Sequence, residues 1–493
     1  MDVTFQDKLN PTEGSVVLVG MFSDRTLLTR DNTLTTSTTE LIKKATKAKD
    51  FKAKPKDTMD LIAPLDVPYH RIIVFGLGEK ENLTDLDLES IGGTLSTALS
   101  HGKEKQGFAI FTGLSTRQAG LIANGARLRS WQFNKYFTTE KTKPKDVFET
   151  LTVIHTALKD LEETYDTLSC VTDGVFLTRE VVSELPNILY PETFCERAKE
   201  LRQLGVEVEI LGEDEMKELG MNALLAVGQG SARESKLCVM RWKGGKSDDA
   251  PLAFVGKGVT FDTGGISIKP SDRMHEMKYD MAGAGVVLGL MKAIASRKAA
   301  ANVVCVAGLA ENMPSGTAQR PGDVWVSMSG QTIECQNTDA EGRMVLADAL
   351  WYTQDRFKPK LMVDLATLTG AIVVALGQEH AGLFSNNDEL AERLFDASKA
   401  MGELVWRMPM GDAYDKAINS TVADVKNVGN PGTGGSITAA QFLQRFVNNC
   451  PWAHLDIAGM AWANKARTLC AAGASGFGVR LLDRLVAAYY EGK

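Results

Sequence analysis

Short apolar runs that end in glycine and charge restrict this chain more than any other feature. The run at 252 to 255 opens into Gly256-Lys257-Gly258-Val259-Thr260-Phe261-Asp262-Thr263-Gly264-Gly265, and a second charged turn follows at Asn337-Thr338-Asp339-Ala340-Glu341-Gly342-Arg343. Lys269 and Asp280 lie between them. Further apolar runs occur at 303 to 306, 361 to 363 and 455 to 457, separated by helical stretches such as 284 to 297, with Val287, Leu290, Met291 and Ile294 on one face, and 343 to 355. This alternation predicts a mostly parallel sheet covered by helices on both faces. In such sheets ligands sit outside the carboxyl ends of the strands, where Lys257, Asp262 and the Thr367-Leu368-Thr369-Gly370 turn are expected.

At 493 residues the chain exceeds one ordinary core, so two α/β domains are expected. A smaller N-terminal α/β domain is read over 1–160, a linker helix over 161–180, and a larger C-terminal catalytic α/β domain over 181–493. The charged segment at 139 to 147 is an alternative boundary. The first domain has strand-like runs at 16 to 19 and 72 to 75 and helical spacing at 91 to 99 and 119 to 128. Few acids or histidines stand at its strand ends, so it carries little visible chemistry.

The net charge of −7 gives no basic footprint for nucleic acid or acidic membranes. The Lys-rich stretch at 43 to 56 is read as a solvated surface. No secretory signal is seen at the N-terminus, and no run of about 18 apolar residues is present to span a bilayer. The seven cysteines are scattered without a C-x-x-C, which suits a reducing, cytoplasmic setting.

Asp262, Asp280, Asp339 and Glu341 are hard oxygen ligands, and acids two positions apart in a turn can grip one ion or bridge two. Only His275 lies nearby and there is no H-E-x-x-H, which excludes a mononuclear site of that type. A blander reading makes Asp339 a helix N-cap and the other acids surface charges. A capping box would then need Glu or Gln at 342, which is Gly. The bases suggest a division of labour. Lys257, between two glycines, can serve as a neutral amine ligand if two dications drive off its proton. Lys269 can stay cationic and stabilise an oxyanion, and Arg343 can hold a small anion bidentately.

The complete N-T-D-A-E-G-R heptapeptide resembles the signature of the leucyl aminopeptidase family, and so do Glu311-Asn312-Met313-Pro314-Ser315-Gly316, Thr367-Leu368-Thr369-Gly370 and Trp452-Ala453-His454-Leu455-Asp456-Ile457-Ala458-Gly459. The resemblance covers roughly the C-terminal two thirds of the chain. It implies a dinuclear metalloexopeptidase that releases N-terminal leucine and other apolar residues from peptides in intracellular turnover. Two divalent ions, zinc or manganese, would be held by Lys257, Asp262, Asp280 and Glu341 at one site and by Asp262, Asp339 and Glu341 at the other. Lys269 and Arg343 fall at the catalytic positions, the latter with a bicarbonate. The resemblance also implies substrate contacts from Met277, Asn337, Thr367, Leu368, Gly370 and Ala458, with Ala461 near the first side chain, and a cytoplasmic homohexamer.

Two other classes compete. Gly76-Leu77-Gly78 and Gly245-Lys246-Ser247 hint at nucleotide binding, but Glu81 and Met240 break the respective patterns. Some bacterial relatives bind DNA, a role that the acidic balance disfavours.

Overall fold

The computed structural model describes residues 1–29, 33–139, 142 and 148–492. It divides into two compact units, one of Met1–Thr172 with Lys465–Ala472, the other of Asp173–Asn464 with Gly473–Lys493. A single helix, Leu158–Ser183, covers the stretch where a linker helix is expected. Most of the alternative boundary at 139 to 147 lies outside the described residues.

The first unit is built on six strands in the order Asp2–Gln6, Thr150–Ile154, Gln106–Ile110, Val16–Phe22, Arg71–Gly78 and Thr58–Ile62. All neighbours are parallel except the last pair. The Val16–Phe22 and Arg71–Gly78 strands are buried along their whole length, which explains why each reads as an unbroken apolar run rather than an alternating one. The Lys-rich stretch falls partly on the helix Thr36–Ala48, whose lysines face outward.

The second unit is an α/β layer around eight strands. Four parallel ones form its centre, in the order Trp452–Asp456, Leu361–Ala366, Leu252–Asp262 and Asn302–Asn312. Antiparallel neighbours flank this core on both sides, Ala381–Ser385 beside Trp452–Asp456 and Lys236–Lys243 beside Asn302–Asn312. Register aligns the carboxyl ends of the central strands in two pairs, Asn312 with Asp262 and Ala366 with Asp456. Because Leu365 pairs with Gly256, the first pair runs on past the second and brings Lys257 beside the end of Leu361–Ala366.

One sequence expectation needs correction. Lys257 and Asp262 do not follow a short strand; they lie on it, because the strand runs over Leu252–Asp262. Gly256 looks like a breaker but serves helix packing. A Cβ there would meet the Gly283 carbonyl at 2.5 Å, so glycine lets the helix Ala282–Ser296 lie against the strand.

Candidate active site

Four chain segments converge where the central strands end. The strand Leu252–Asp262 supplies Lys257 from its interior and Asp262 from its last position. The short 3-10 turn Met274–Tyr279 delivers Asp280 as the residue that closes it. Asp339 and Glu341 come from the turn before the helix Gly342–Phe357, and Lys269 comes from the loop that follows Asp262. Glu341, rather than Asp339, occupies the N-cap of that helix, and it caps with no side-chain hydrogen bond. Its carboxylate is thus free for other work, although it still benefits from the positive end of the helix.

Local hydrogen bonds hold these turns together. Asn312 Nδ2 donates to Asp262 Oδ1 at 2.8 Å and to the Thr338 carbonyl at 3.0 Å. Thr338 Oγ1 donates to the Gly264 carbonyl at 2.6 Å and accepts from the Ser267 amide at 2.8 Å. The glycine at 342 has a steric cause: a Cβ there would sit 2.7 Å from Lys257 Nζ. The heptapeptide therefore combines ligand-type acids with one vacancy of side chain that lets Lys257 reach them.

The charged groups form one cluster, in which Lys257, Asp262, Asp280 and Glu341 are buried and Lys269 and Asp339 are half-buried at its edge. Lys257 Nζ lies 2.8 Å from Asp280 Oδ1 and 2.8 Å from Glu341 Oε1, and it donates to the Thr367 carbonyl at 2.8 Å. Lys269 Nζ lies 2.7 Å from Asp262 Oδ2 and pairs also with Asp339. Burial pulls the Lys257 ammonium down, but Asp280, Glu341 and Asp262 more than offset this and hold it above its ordinary value. Lys269 is raised for the same reason, chiefly by Asp262 acting against burial. Burial, together with Glu341, pushes Asp262 up to about 6, and burial also pushes Asp280 and Asp339 upward. In Glu341 burial is outweighed by Lys257 and Lys269, so its carboxyl sits below the usual range.

These residues fit divalent cations. Oxygens of Asp262, Asp280 and Glu341 all lie within 4.8 Å of one another, and all three residues are buried. Asp280 Oδ2 is buried with no hydrogen-bond partner. Buried carboxylate oxygens are normally satisfied, and a crowd of them around a hollow suits hard cations. The proton on Lys257 Nζ is the one such a cation would compete with.

The cluster forms the floor of a cavity of about 380 Å³. Met277, Thr367, Leu368, Gly370 and Ala458 line it, as do Lys257, Asp262, Lys269, Asp280, Asp339 and Glu341. Three predicted residues lie elsewhere. Asn337 is exposed, and its Oδ1 accepts from the Asp339 amide at 2.9 Å, so it shapes the turn. Arg343 is buried; its Nη1 donates to the Asn427 carbonyl at 2.7 Å, and its Nε has no partner. Burial, only partly opposed by Glu341 and Asp456, lowers its guanidinium to about 10. Ala461 is buried and is not part of the cavity wall. The structure also adds Asn312, Asn427 and Asp456 as supports. Asn312 and Asp456 fall inside motifs visible in the sequence, whereas Asn427 carries no local signal.

Fold and site together define a hydrolase of the two-domain α/β kind with an acid-lined centre. Residues 176–483 match the catalytic domain of the cytosol aminopeptidase family, and residues 18–140 match the N-terminal domain of the same family. A probable cytosol aminopeptidase of Bradyrhizobium sp. is 54% identical over 459 residues, covering 92% of this chain and 91% of that protein. Its counterpart in Agrobacterium fabrum is 53% identical over 460 residues, with 92% and 91% covered. Among solved structures, a tomato leucine aminopeptidase mutant superposes with a TM-score of 0.84 at 32% identity, covering 99% of this chain and 96% of that one. A bottromycin maturation enzyme in complex with manganese gives 0.82 at 29% identity, covering 97% and 99%. The chain belongs to the cytosol aminopeptidase family and is a metal-dependent aminopeptidase.

Proposed function

We propose that this chain releases N-terminal residues, preferably leucine and other apolar ones, from peptides with a free amino terminus. The observation that carries this reading is the buried carboxylate cluster on the floor of an open cavity with apolar walls. Lys257, Asp262, Asp280, Asp339 and Glu341 would hold two divalent ions, zinc or manganese. When bound, these would supply Lewis acidity at the scissile carbonyl and a more acidic water beside it.

The chain's own groups complete the chemistry. Lys269 stays cationic between Asp262 and Asp339 and is placed to stabilise the oxygen that gains charge in the transition state. Arg343 leaves its Nε unpartnered, which suits a small oxyanion such as bicarbonate acting as proton carrier. Met277, Leu368, Gly370 and Ala458 offer the first side chain an apolar wall, and the carboxylates attract the substrate's ammonium group. Thr367 acts from behind: its Oγ1 donates to Asp280 Oδ1 at 2.7 Å. Asn337 contributes through the turn it shapes. A cytoplasmic homohexamer working in peptide turnover completes the proposal, supported by the family membership. Among the described residues no helix is long and apolar enough to cross a membrane.

Hydrolysis of amino-acid p-nitroanilides tests the reading. Leucine p-nitroanilide should be cleaved, its N-acetyl derivative should not, and exhaustive chelation should abolish turnover until zinc or manganese is restored. Equal cleavage of the acetylated compound, or survival of activity after chelation, would refute it.

A further inference from the structure

Asp456 takes no part in the charge cluster, yet its carboxylate is fully buried at the end of the central strand Trp452–Asp456. It has three hydrogen-bond donors from two separate segments. Its Oδ1 accepts from the Leu368 amide at 3.1 Å and the Ala458 amide at 3.3 Å, and its Oδ2 accepts from Thr369 Oγ1 at 2.6 Å. Leu368, Thr369 and Ala458 all line the cavity. Register explains the reach, because Asp456 pairs with Ala366, the last residue of the strand leading into the 367–370 turn.

That turn is anchored at both ends. At one end Thr367 accepts from Lys257 and donates to Asp280, inside the charge cluster. At the other, Leu368 and Thr369 hang on Asp456, and Thr369 Oγ1 also receives the Ile372 amide at 3.1 Å. Among the described residues no cation pairs directly with Asp456; His454 and Arg343 act on it only through longer-range electrostatics. A buried carboxylate is costly, and a neutral acceptor such as Asn would satisfy one strand end at lower cost. What the carboxylate adds is acceptor capacity on both oxygens, enough to lock two cavity walls to one rigid point.

We propose that Asp456 is a positioning residue that fixes the wall formed by Leu368, Thr369 and Ala458, and thereby sets which first side chain the cavity accepts. The proposal rests on the aminopeptidase reading for its substrate but not for its geometry. It acts through the spacing of the wall, so it governs discrimination between side chains rather than the bond-breaking step.

The test is Asp456→Asn in the full chain, read by three measurements: metal content, kcat/KM for leucine and alanine p-nitroanilides, and amide hydrogen exchange. Metal content should match the parent. The leucine-to-alanine preference should shrink by roughly tenfold, within the range a hydrophobic pocket commands. Exchange should quicken in residues 366–376 and 457–461 and stay unchanged in 252–262. An unchanged preference with unchanged exchange overturns the proposal, and so does loss of metal, which would tie Asp456 to the charge cluster instead. If Asp456→Asn fails to fold, Thr369→Ser and Thr369→Val decide: serine keeps the donor to Asp456 and should keep the preference, whereas isosteric valine should lose it. Identical behaviour of those two variants overturns the proposal. A parent protein without aminopeptidase activity would defeat the enzyme reading alone, and the exchange measurement would still settle whether Asp456 anchors the wall.

Discussion

The two sheets of this protein share a plan but use buried charge in opposite ways. In the first unit Arg71 is buried at the start of its strand, and its guanidinium is fully engaged. It reaches Asp60 at 2.8 Å, Glu104 at 3.5 Å and the Ala98 carbonyl at 3.1 Å. His155, at the end of Thr150–Ile154, spends Nε2 on the Leu114 carbonyl at 3.0 Å and Nδ1 on the Ala157 amide at 3.1 Å. In the second unit four carboxylates, Asp262, Asp280, Asp339 and Glu341, gather around only two lysines, and Asp280 Oδ2 is buried with no partner at all. Among the described residues no carboxylate of the first unit is left in that condition. Buried charge alone therefore does not mark a site. Buried charge that the protein's own cations leave in excess does, because its desolvation is offset fully only when something else binds.

The largest effect should come from removing one of the carboxylates that are in excess over the lysines. Glu341→Ala or Asp339→Ala should lose metal and take turnover to background, since each would remove a carboxylate facing the ions. Metal analysis beside kinetics checks this, and a variant with full metal content and full activity would erase the contrast between the two sheets.

Lys269→Ala should come next. Turnover should fall by roughly 10²–10³-fold, the range for losing one oxyanion donor, while metal stays bound. A Lys269→Ala protein that loses its metal instead would make this lysine a structural counter-charge, like Arg71.

Acidity gives a smaller, graded effect. Asp262 is pushed up to about 6 and must be ionised to hold a cation, so protons compete with metal below that value. At a fixed, limiting manganese concentration, metal content should fall as pH drops from 7 to 5 and recover on return. Content that stays flat over that window would remove Asp262 from the ligand set.

Asp348 supplies the smallest effect and the sharpest control, because it belongs to the second unit yet behaves like the first. Its Oδ1 accepts from the Met328 amide at 2.8 Å and its Oδ2 from the Leu224 amide at 2.9 Å. Burial pushes it to about 7, well above its unfolded value near 4. Its contribution to stability is thus full below about pH 4 and is lost as pH rises through 7. Asp348→Asn should flatten that part of the thermal stability profile between about pH 4 and 7 and leave metal content and kcat alone. A loss of metal would show that the carboxylates of the charge cluster and those satisfied by backbone amides are not separate classes.

Much of this was legible in the sequence, for identifiable reasons. Strands buried on both faces read as continuous apolar runs, so Val16–Phe22, Arg71–Gly78 and the four central strands were all foreseeable in kind. Their lengths were not, because Gly256 and Gly258 look like turn residues until the helix packed on them is seen. The acids and lysines of the cluster stood out because charge at buried strand ends is rare. Asp456 escaped notice because an acid ending an apolar run looks the same whether it faces a ligand or a backbone amide. Asn427 lies far from the heptapeptide in sequence, yet it donates to the Asn337 carbonyl at 2.7 Å and accepts from Arg343 at its own. Only the fold could bring those two segments together.

Titration of the metal-stripped chain with manganese, followed by calorimetry and by leucine p-nitroanilide hydrolysis in the same samples, tests the central claim most directly. Two ions per chain should bind, and activity should return in step with them. Binding no stronger than to a Glu341→Ala control, or activity that is full before any manganese is added, would contradict the account.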